Sequence, residues 1–285
     1  MNTSVNIGEV IGGRYTVVRL IGQGSMADVF EAHDGQSGGR VALKILKGSV
    51  ARDPEARSRF GHEARVQQMV RHPNVMVLHG AGISEGGYPY LVLELLRGRS
   101  LASLLKQSPR VPPRRAAGYA WQALQGLGAT HAVGVLHRDL KPGNLMLEPT
   151  SGPIERVVVI DFGFAALDGS TGLTRQGFVV GSLSYMAPER LRGEPPDPRS
   201  DLYSLGIVLY ELLTGKRPFH GENDSALVMG HLDETPAPPS RMAPDAGIPS
   251  AMDMVVMKAL SKHPEERAAS AHAMAKELEA ALSSG

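Results

Sequence analysis

The amino-acid sequence predicts an α+β fold of two lobes, a small β-rich lobe with one main helix followed by a larger, mostly helical one. Over the first third, short runs with a period of two, separated by glycine-bearing turns, read as strands. Beyond Gly98 the apolar residues recur at helical spacing instead. The chain of 285 residues, 42% of them hydrophobic and 21% charged, is long enough to bury a substantial core without crosslinks. The expected organisation is a leader of uncertain order over 1–12, a first lobe over 13–96, a second over 97–282 and a tail at 283–285.

Residues 15–21 read as a strand entering a turn at Gly22 and Gly24, and the chain re-emerges as a strand at Val29 and Phe30. A turn carrying Gly35, Gly38 and Gly39 leads into a third strand, 41–46. Its period of two sets Val41, Leu43 and Ile45 on one face and Ala42, Lys44 and Leu46 on the other. Asp53 and Pro54 form a helix start, a cap followed by a first-turn proline. The helix beyond them has an apolar stripe through Phe60, Val66 and Val70 that contains the acidic Glu63, and His72-Pro73-Asn74 stops it. Strands are expected at 75–78 and 90–93, on either side of Gly86-Gly87. Residues 95–98 are the expected junction between lobes. After it come helices at 101–106, 112–131, 202–213 and 269–282, short strands near 135–136 and 157–160, and a proline-rich loop over 236–249.

The charge balance, 30 Lys and Arg against 29 Asp and Glu, gives +1 and offers no broad attraction to a nucleic acid. The absence of cysteine excludes disulfides, thiolate catalysis and cysteine zinc sites. Residues 1–10 carry neither the basic start nor the apolar core of a signal peptide, and the apolar run 202–213 is too short and interrupted to cross a bilayer. A cytoplasmic protein without a membrane segment is the expectation.

The turn Gly22-Gln23-Gly24-Ser25-Met26-Ala27 joins two strands, and its glycines let backbone N–H groups approach phosphate oxygens. A purely structural hairpin turn reads the same way; a dinucleotide fingerprint does not, because a strand follows where a helix is required. Lys44 lies inside an apolar strand, a costly place for an ammonium group unless it meets an anion, and Glu63 could supply one. A pair of charges that merely holds the helix on the sheet fits equally. The run His137-Arg138-Asp139-Leu140-Lys141-Pro142-Gly143-Asn144 is more informative. It offers a carboxylate to receive a hydroxyl proton, an ammonium to offset phosphate charge and an amide oxygen for a metal. Asp161-Phe162-Gly163, directly after an apolar strand, adds a hard oxygen ligand, with a helix cap as the alternative.

In their joint order these motifs, with Val41-Ala42-Leu43-Lys44 and Ala187-Pro188-Glu189, resemble the eukaryotic-like (Hanks-type) bacterial serine/threonine protein kinases over roughly residues 15–278. The resemblance implies transfer of the ATP γ-phosphoryl group to protein Ser or Thr hydroxyls, with Mg²⁺ as the metal and Mn²⁺ as a substitute. It implies that Lys44 holds the α- and β-phosphates with Glu63 orienting it. Asp139 takes the acceptor proton, Lys141 stabilises the moving phosphoryl, and Asn144 and Asp161 bind the metal. The adenine is expected among Ile21, Val29, Ala42 and Met146, with backbone groups of Glu94 and Leu96 bonding to it and Leu93 as gatekeeper. The resemblance further places Phe162, His137 and Leu78 in an apolar column, ties the catalytic loop to Asp201, and pairs Glu189 with Arg267.

Lys141 and Pro142 resemble the serine/threonine version of the loop, as does the stretch from Gly181 to Glu189, with Ser182 where threonine is frequent. Arg138 beside Asp139 implies regulation by phosphorylation, with Thr171 and Thr174 as candidate sites. Two residues depart from the family pattern: Ala27, in place of the last glycine of the phosphate loop, and Gln67, where an apolar residue is common. Expected partners are protein substrates and a kinase dimer. The competing readings are a nucleotide-binding pseudokinase acting as a scaffold and a small-molecule phosphotransferase on a related fold.

Overall fold

The computed structural model describes residues 5–48, 50–161 and 183–283, apart from the side chains of residues 59, 63 and 66. The chain divides into two compact units, Met1–His72 with Met76–Arg97, and Pro73–Val75 with Gly98–Gly285.

The first unit is built on β1 (Val10–Ile11), β2 (Tyr15–Gln23), β3 (Ala27–Asp34), β4 (Arg40–Leu46), α1 (Pro54–Gln68), β5 (Leu78–Ile83) and β6 (Pro89–Glu94). Its strands form one antiparallel six-stranded sheet in the order β1-β2-β3-β4-β6-β5. Val41, Leu43 and Ile45 point into a buried cluster with Ile11, Tyr15 and Phe30, as their alternation predicts. Ile11 is 1% exposed and pairs with Tyr15, so the expected leader contributes a strand to this core. Gly12 follows it at φ 59°, and a Cβ there would stand 2.1 Å from the Tyr90 hydroxyl, so this position requires glycine twice over. Asp53 caps α1, its Oδ1 accepting from Glu55 N at 2.9 Å.

The second unit contains β7 (Arg99–Ser100), α2 (Leu101–Gln107), α3 (Pro113–His131), β8 (Leu145–Glu148), β9 (Arg156–Val159), α4 (Pro188–Leu191), α5 (Pro198–Thr214), α6 (Asp224–Asp233), α7 (Pro239–Met242), α8 (Ser250–Ala259) and α9 (Ala271–Ser283). Strands β7, β8 and β9 form a small sheet in that order. Helix α5 lies at the centre, packed against α3, α7, α8 and α9. Asp197 starts it with a capping box, and Gly215, at φ 76°, ends it. Gly206 lets α8 approach closely, since a Cβ there would lie 2.8 Å from the Ala259 Cβ.

Two further sequence expectations give way here. Residues 75–77 do not continue into β5, because Val75 bridges to Val159 and Asn74 donates to Val157 O at 2.7 Å, which draws 73–75 into the second unit. Residues 135–136 form no strand; Val135 N instead bonds to Thr130 O at 3.0 Å in the turn that closes α3.

Candidate functional site

Sheet register assembles one part of the site in the first unit. Directly paired residues of antiparallel strands share a face. The pairings Gly22–Val29, Val29–Lys44 and Lys44–Leu91 therefore make one row, and Glu31–Ala42 with Ala42–Leu93 makes the next. Val29, Ala42, Lys44 and Leu93 thus stand together on the face opposite the apolar cluster, with Lys44 only 6% exposed. Ile21 and Gly22 lie in β2, and Gln23 is its last residue. The turn that follows is closed by Gly24 N donating to Ala27 O at 2.9 Å. Ala27 itself is the first residue of β3, paired with Leu46, and is not among the described residues at positive φ. The extra freedom of a glycine is not used there. Glu94, the last residue of β6, donates its backbone N–H to Val77 O at 3.0 Å. Glu63 lies on α1. Gln67, on the same helix, is 3% exposed and its Oε1 has no hydrogen-bond partner among the described residues.

In the second unit the loop 137–144 is fastened at several points. Asp201, 1% exposed on α5, accepts from His137 N and Arg138 N at 2.9 Å each and contacts His131 Nε2 at 2.8 Å. Burial pushes its carboxyl up, yet these contacts outweigh burial and hold it below the usual carboxylate range. The His137 ring reaches Ile160 O through Nε2 at 3.0 Å and receives Asp139 N–H at Nδ1 at 3.3 Å, which calls for the tautomer with its proton on Nε2. Arg190 donates to Arg138 O. Among the described residues only Arg138 (φ 64°) and Asp161 (φ 55°) are non-glycines in the left-handed region, a strained geometry that concentrates at functional sites.

Three side chains converge on this frame. Lys141 Nζ donates to Asp139 Oδ2 at 2.6 Å. Asn144 Nδ2 donates to Asp139 O at 2.8 Å and approaches Oδ2 at 3.3 Å. The Asn144 backbone carbonyl accepts from Ile160 N at 3.0 Å, which sets Asn144 beside the residue preceding Asp161. Because the Asn144 amide nitrogen is committed to Asp139, its Oδ1 is the end left to ligate. Asp161 and Asn144 thus offer the hard oxygens that a small divalent cation takes. Met146 lies next along β8.

Glu189 and Arg267 form a bidentate pair, with Nη1–Oε1 and Nη2–Oε2 both 2.8 Å and side chains 3% and 0% exposed. Burial pushes the Glu189 carboxyl up, but Arg267 and the Ser200 hydroxyl draw it below its ordinary value. Phe162, Gly163, Thr171, Thr174 and Ser182 lie outside the described residues.

Sequence reasoning missed His131 and Arg190, since nothing in their local pattern marks them as partners of Asp201 and the Arg138 carbonyl. It also missed a groove of about 450 Å³ in the second unit, where Leu105, Lys106, Tyr185 and Glu211 meet Lys141 and Gly143. There the Tyr185 hydroxyl donates to Glu211 Oε2 at 2.6 Å, and burial holds the Glu211 carboxyl above its ordinary range. Asp201→Asn should expose how the loop depends on α5. The amide has only one acceptor oxygen for two backbone N–H donors, and a buried unsatisfied donor costs about 1–3 kcal/mol. Thermal melting should show that loss, and turnover should fall further than stability alone explains.

A protein kinase domain profile matches residues 15–278. The chain belongs to the protein kinase family. This kinase domain is 39% identical over 283 residues to the serine/threonine-protein kinase pkn3 of Myxococcus xanthus, covering 98% of the chain and 52% of that protein. It is 40% identical over 268 residues to PknA of Mycobacterium tuberculosis, covering 93% of the chain and 60% of that protein. The kinase domain thus spans about half the length of the curated relatives it matches. A crystal structure of the Mycobacterium tuberculosis PknI kinase domain superposes with a TM-score of 0.76 at 26% identity, covering 98% of this chain and all of that one. The α+β kinase fold and the Hanks-type bacterial serine/threonine branch are those expected from the motifs.

Proposed function

We propose that this kinase domain transfers the γ-phosphoryl group of ATP to serine or threonine hydroxyls of protein substrates. The observation that carries the reading is the convergence of Lys141 and Asn144 on Asp139, held by a loop that Asp201 and Ile160 fasten from two sides. Phosphoryl transfer asks the protein mainly for positioning and charge stabilisation, and this arrangement supplies both.

Asp139 accepts the proton of the acceptor hydroxyl and orients the oxygen for in-line attack. Lys141, whose ammonium already touches that carboxylate, offsets charge on the transferring group. Lys44, oriented by Glu63, binds the α- and β-phosphates, and the turn from Gly22 to Ala27 presents backbone N–H groups to them. Ile21, Val29, Ala42, Leu93 and Met146 hold the adenine, with backbone groups of Glu94 and Leu96 as its hydrogen-bond partners. The family uses ATP with a divalent metal; Asn144 Oδ1 and Asp161 fit Mg²⁺ as ligands, with Mn²⁺ able to replace it. Bound there, the metal neutralises phosphate charge. We place the residues flanking the acceptor in the groove of Lys106, Tyr185 and Glu211, because that groove shares Lys141 and Gly143 with the catalytic loop.

Arg138 is the proposed receptor for a phosphate on Thr171 or Thr174, and Ser182 a bridge between Asp139 and Lys141. Among the described residues no helix is long and apolar enough to cross a membrane. We place the domain in the cytoplasm, where ATP is available, and propose a pairing of two kinase domains as the means of phosphorylating the activation segment between them. Incubation with labelled ATP, Mg²⁺ and a generic basic protein tests the function, with Asp139→Asn as control. Transfer by the parent alone supports it; nucleotide binding without transfer would leave a pseudokinase. Mass spectrometry of the same reaction reads Thr171 and Thr174, and finding both unmodified in active protein removes the regulatory part.

A further inference from the structure

Lys47 stands three residues beyond Lys44, just past the end of β4. Its ammonium donates to Gly24 O at 2.6 Å and lies 3.3 Å from Asp28 Oδ1, while its backbone N–H bonds to Met26 O at 2.9 Å. One residue therefore grips the phosphate-loop turn at two carbonyls. Asp28 is 4% exposed and pairs directly with Ile45, so it stands on the sheet face opposite Val29 and Lys44. Lys47 thus holds the turn from the far side of the sheet and is itself 20% exposed at its side chain.

A trans peptide is planar, with its C=O and the next N–H pointing in opposite directions. Anchoring Gly24 O toward Lys47 and Asp28 therefore turns the Ser25 N–H the other way, toward the face that carries Lys44. We propose that Lys47, supported by Asp28, is a positioning residue that presets the phosphate loop by fixing the Gly24–Ser25 peptide. An N–H held in this orientation before the nucleotide arrives needs no reordering when it binds. With a glycine, Gly24, in the turn and no other side chain bonding to its carbonyls among the described residues, the tether supplies rigidity that the sequence of the turn lacks.

The inference rests on the nucleotide reading above. It is tested by measuring binding of Mg-ATP and of adenosine, together with KM for ATP and kcat, in the parent, Lys47→Met, Lys47→Arg and Asp28→Asn proteins. Loss of a charge-assisted hydrogen bond predicts that Lys47→Met weakens ATP binding and raises its KM about tenfold. Adenosine, which has no phosphates, should bind as before, kcat should change less than KM, and Lys47→Arg should return ATP affinity toward that of the parent. Asp28→Asn, which keeps shape and removes charge, should give a smaller shift of the same kind and serves if Lys47→Met does not fold. Equal weakening of ATP and adenosine, or unchanged ATP affinity in both Lys47→Met and Asp28→Asn, overturns the proposal. A parent that binds no ATP would overturn the nucleotide reading first, and this role with it.

Discussion

Asp139→Asn should reduce kcat by roughly 10²- to 10⁴-fold, the range typical for removing a general base, while KM for ATP changes little. The asparagine keeps the shape of the carboxylate, so the Asp139 carbonyl and its bond from Asn144 Nδ2 at 2.8 Å remain. What disappears is the charge that Lys141 Nζ touches at 2.6 Å and the oxygen able to take a proton. Stability should therefore stay close to that of the parent, and rapid-quench measurement of the transfer step should carry the whole loss. If the variant kept most of its turnover, Asp139 would be a structural acceptor for Lys141 and the proposed mechanism would fall.

The second large effect should come far from the reacting atoms. Glu189→Ala leaves the Arg267 guanidinium, 0% exposed at its side chain, without its carboxylate. Breaking a buried pair from one side costs about 3–5 kcal/mol, a large fraction of a domain's stability. Urea denaturation should show it directly. A Glu189→Leu, Arg267→Met double variant should recover only part of the loss. Arg267 also donates to Ser261 O at 2.9 Å and Arg199 O at 3.0 Å, and those carbonyls would lose their partner. The pH dependence has a definite sign. A carboxyl held below its unfolded value stabilises the fold above that value, about 4.3 for glutamate, and the stabilisation fades as pH falls through the folded one. The gap in urea midpoint between parent and Glu189→Ala should be flat near neutrality and shrink in acid. A gap independent of pH down to the acid transition would mean that packing, not charge, accounts for the loss.

The elements most easily read from the sequence were those whose pattern is local. The alternation of Val41, Leu43 and Ile45 survived into the folded sheet because burial on one face fixes a strand's register. Asp53 and Pro54 marked the start of α1, because caps act within one turn. Residues 75–77 were misread because Val75 is as good a strand residue as its neighbours, and only its bridge to Val159 decides its place. The short apolar pair at 135–136 failed likewise, since the turn after α3 claims its backbone. His131, Arg190 and Lys47 carry no local mark, because each acts on a backbone or carboxylate group brought near by folding.

By itself the sequence determined the main strands and helices, the family, and the identity of the polar side chains available for chemistry, since these reside in residue type and spacing along the chain. Only the tertiary structure decided how those side chains are held. It chose which proton the His137 ring carries, which end of Asn144 remains to ligate, and which way the Gly24–Ser25 peptide faces. The reason is that hydrogen-bond orientation depends on partners distant in sequence: Ile160 lies 23 residues from His137, and Lys47 lies 23 from Gly24. No window along the chain contains the geometry that couples them.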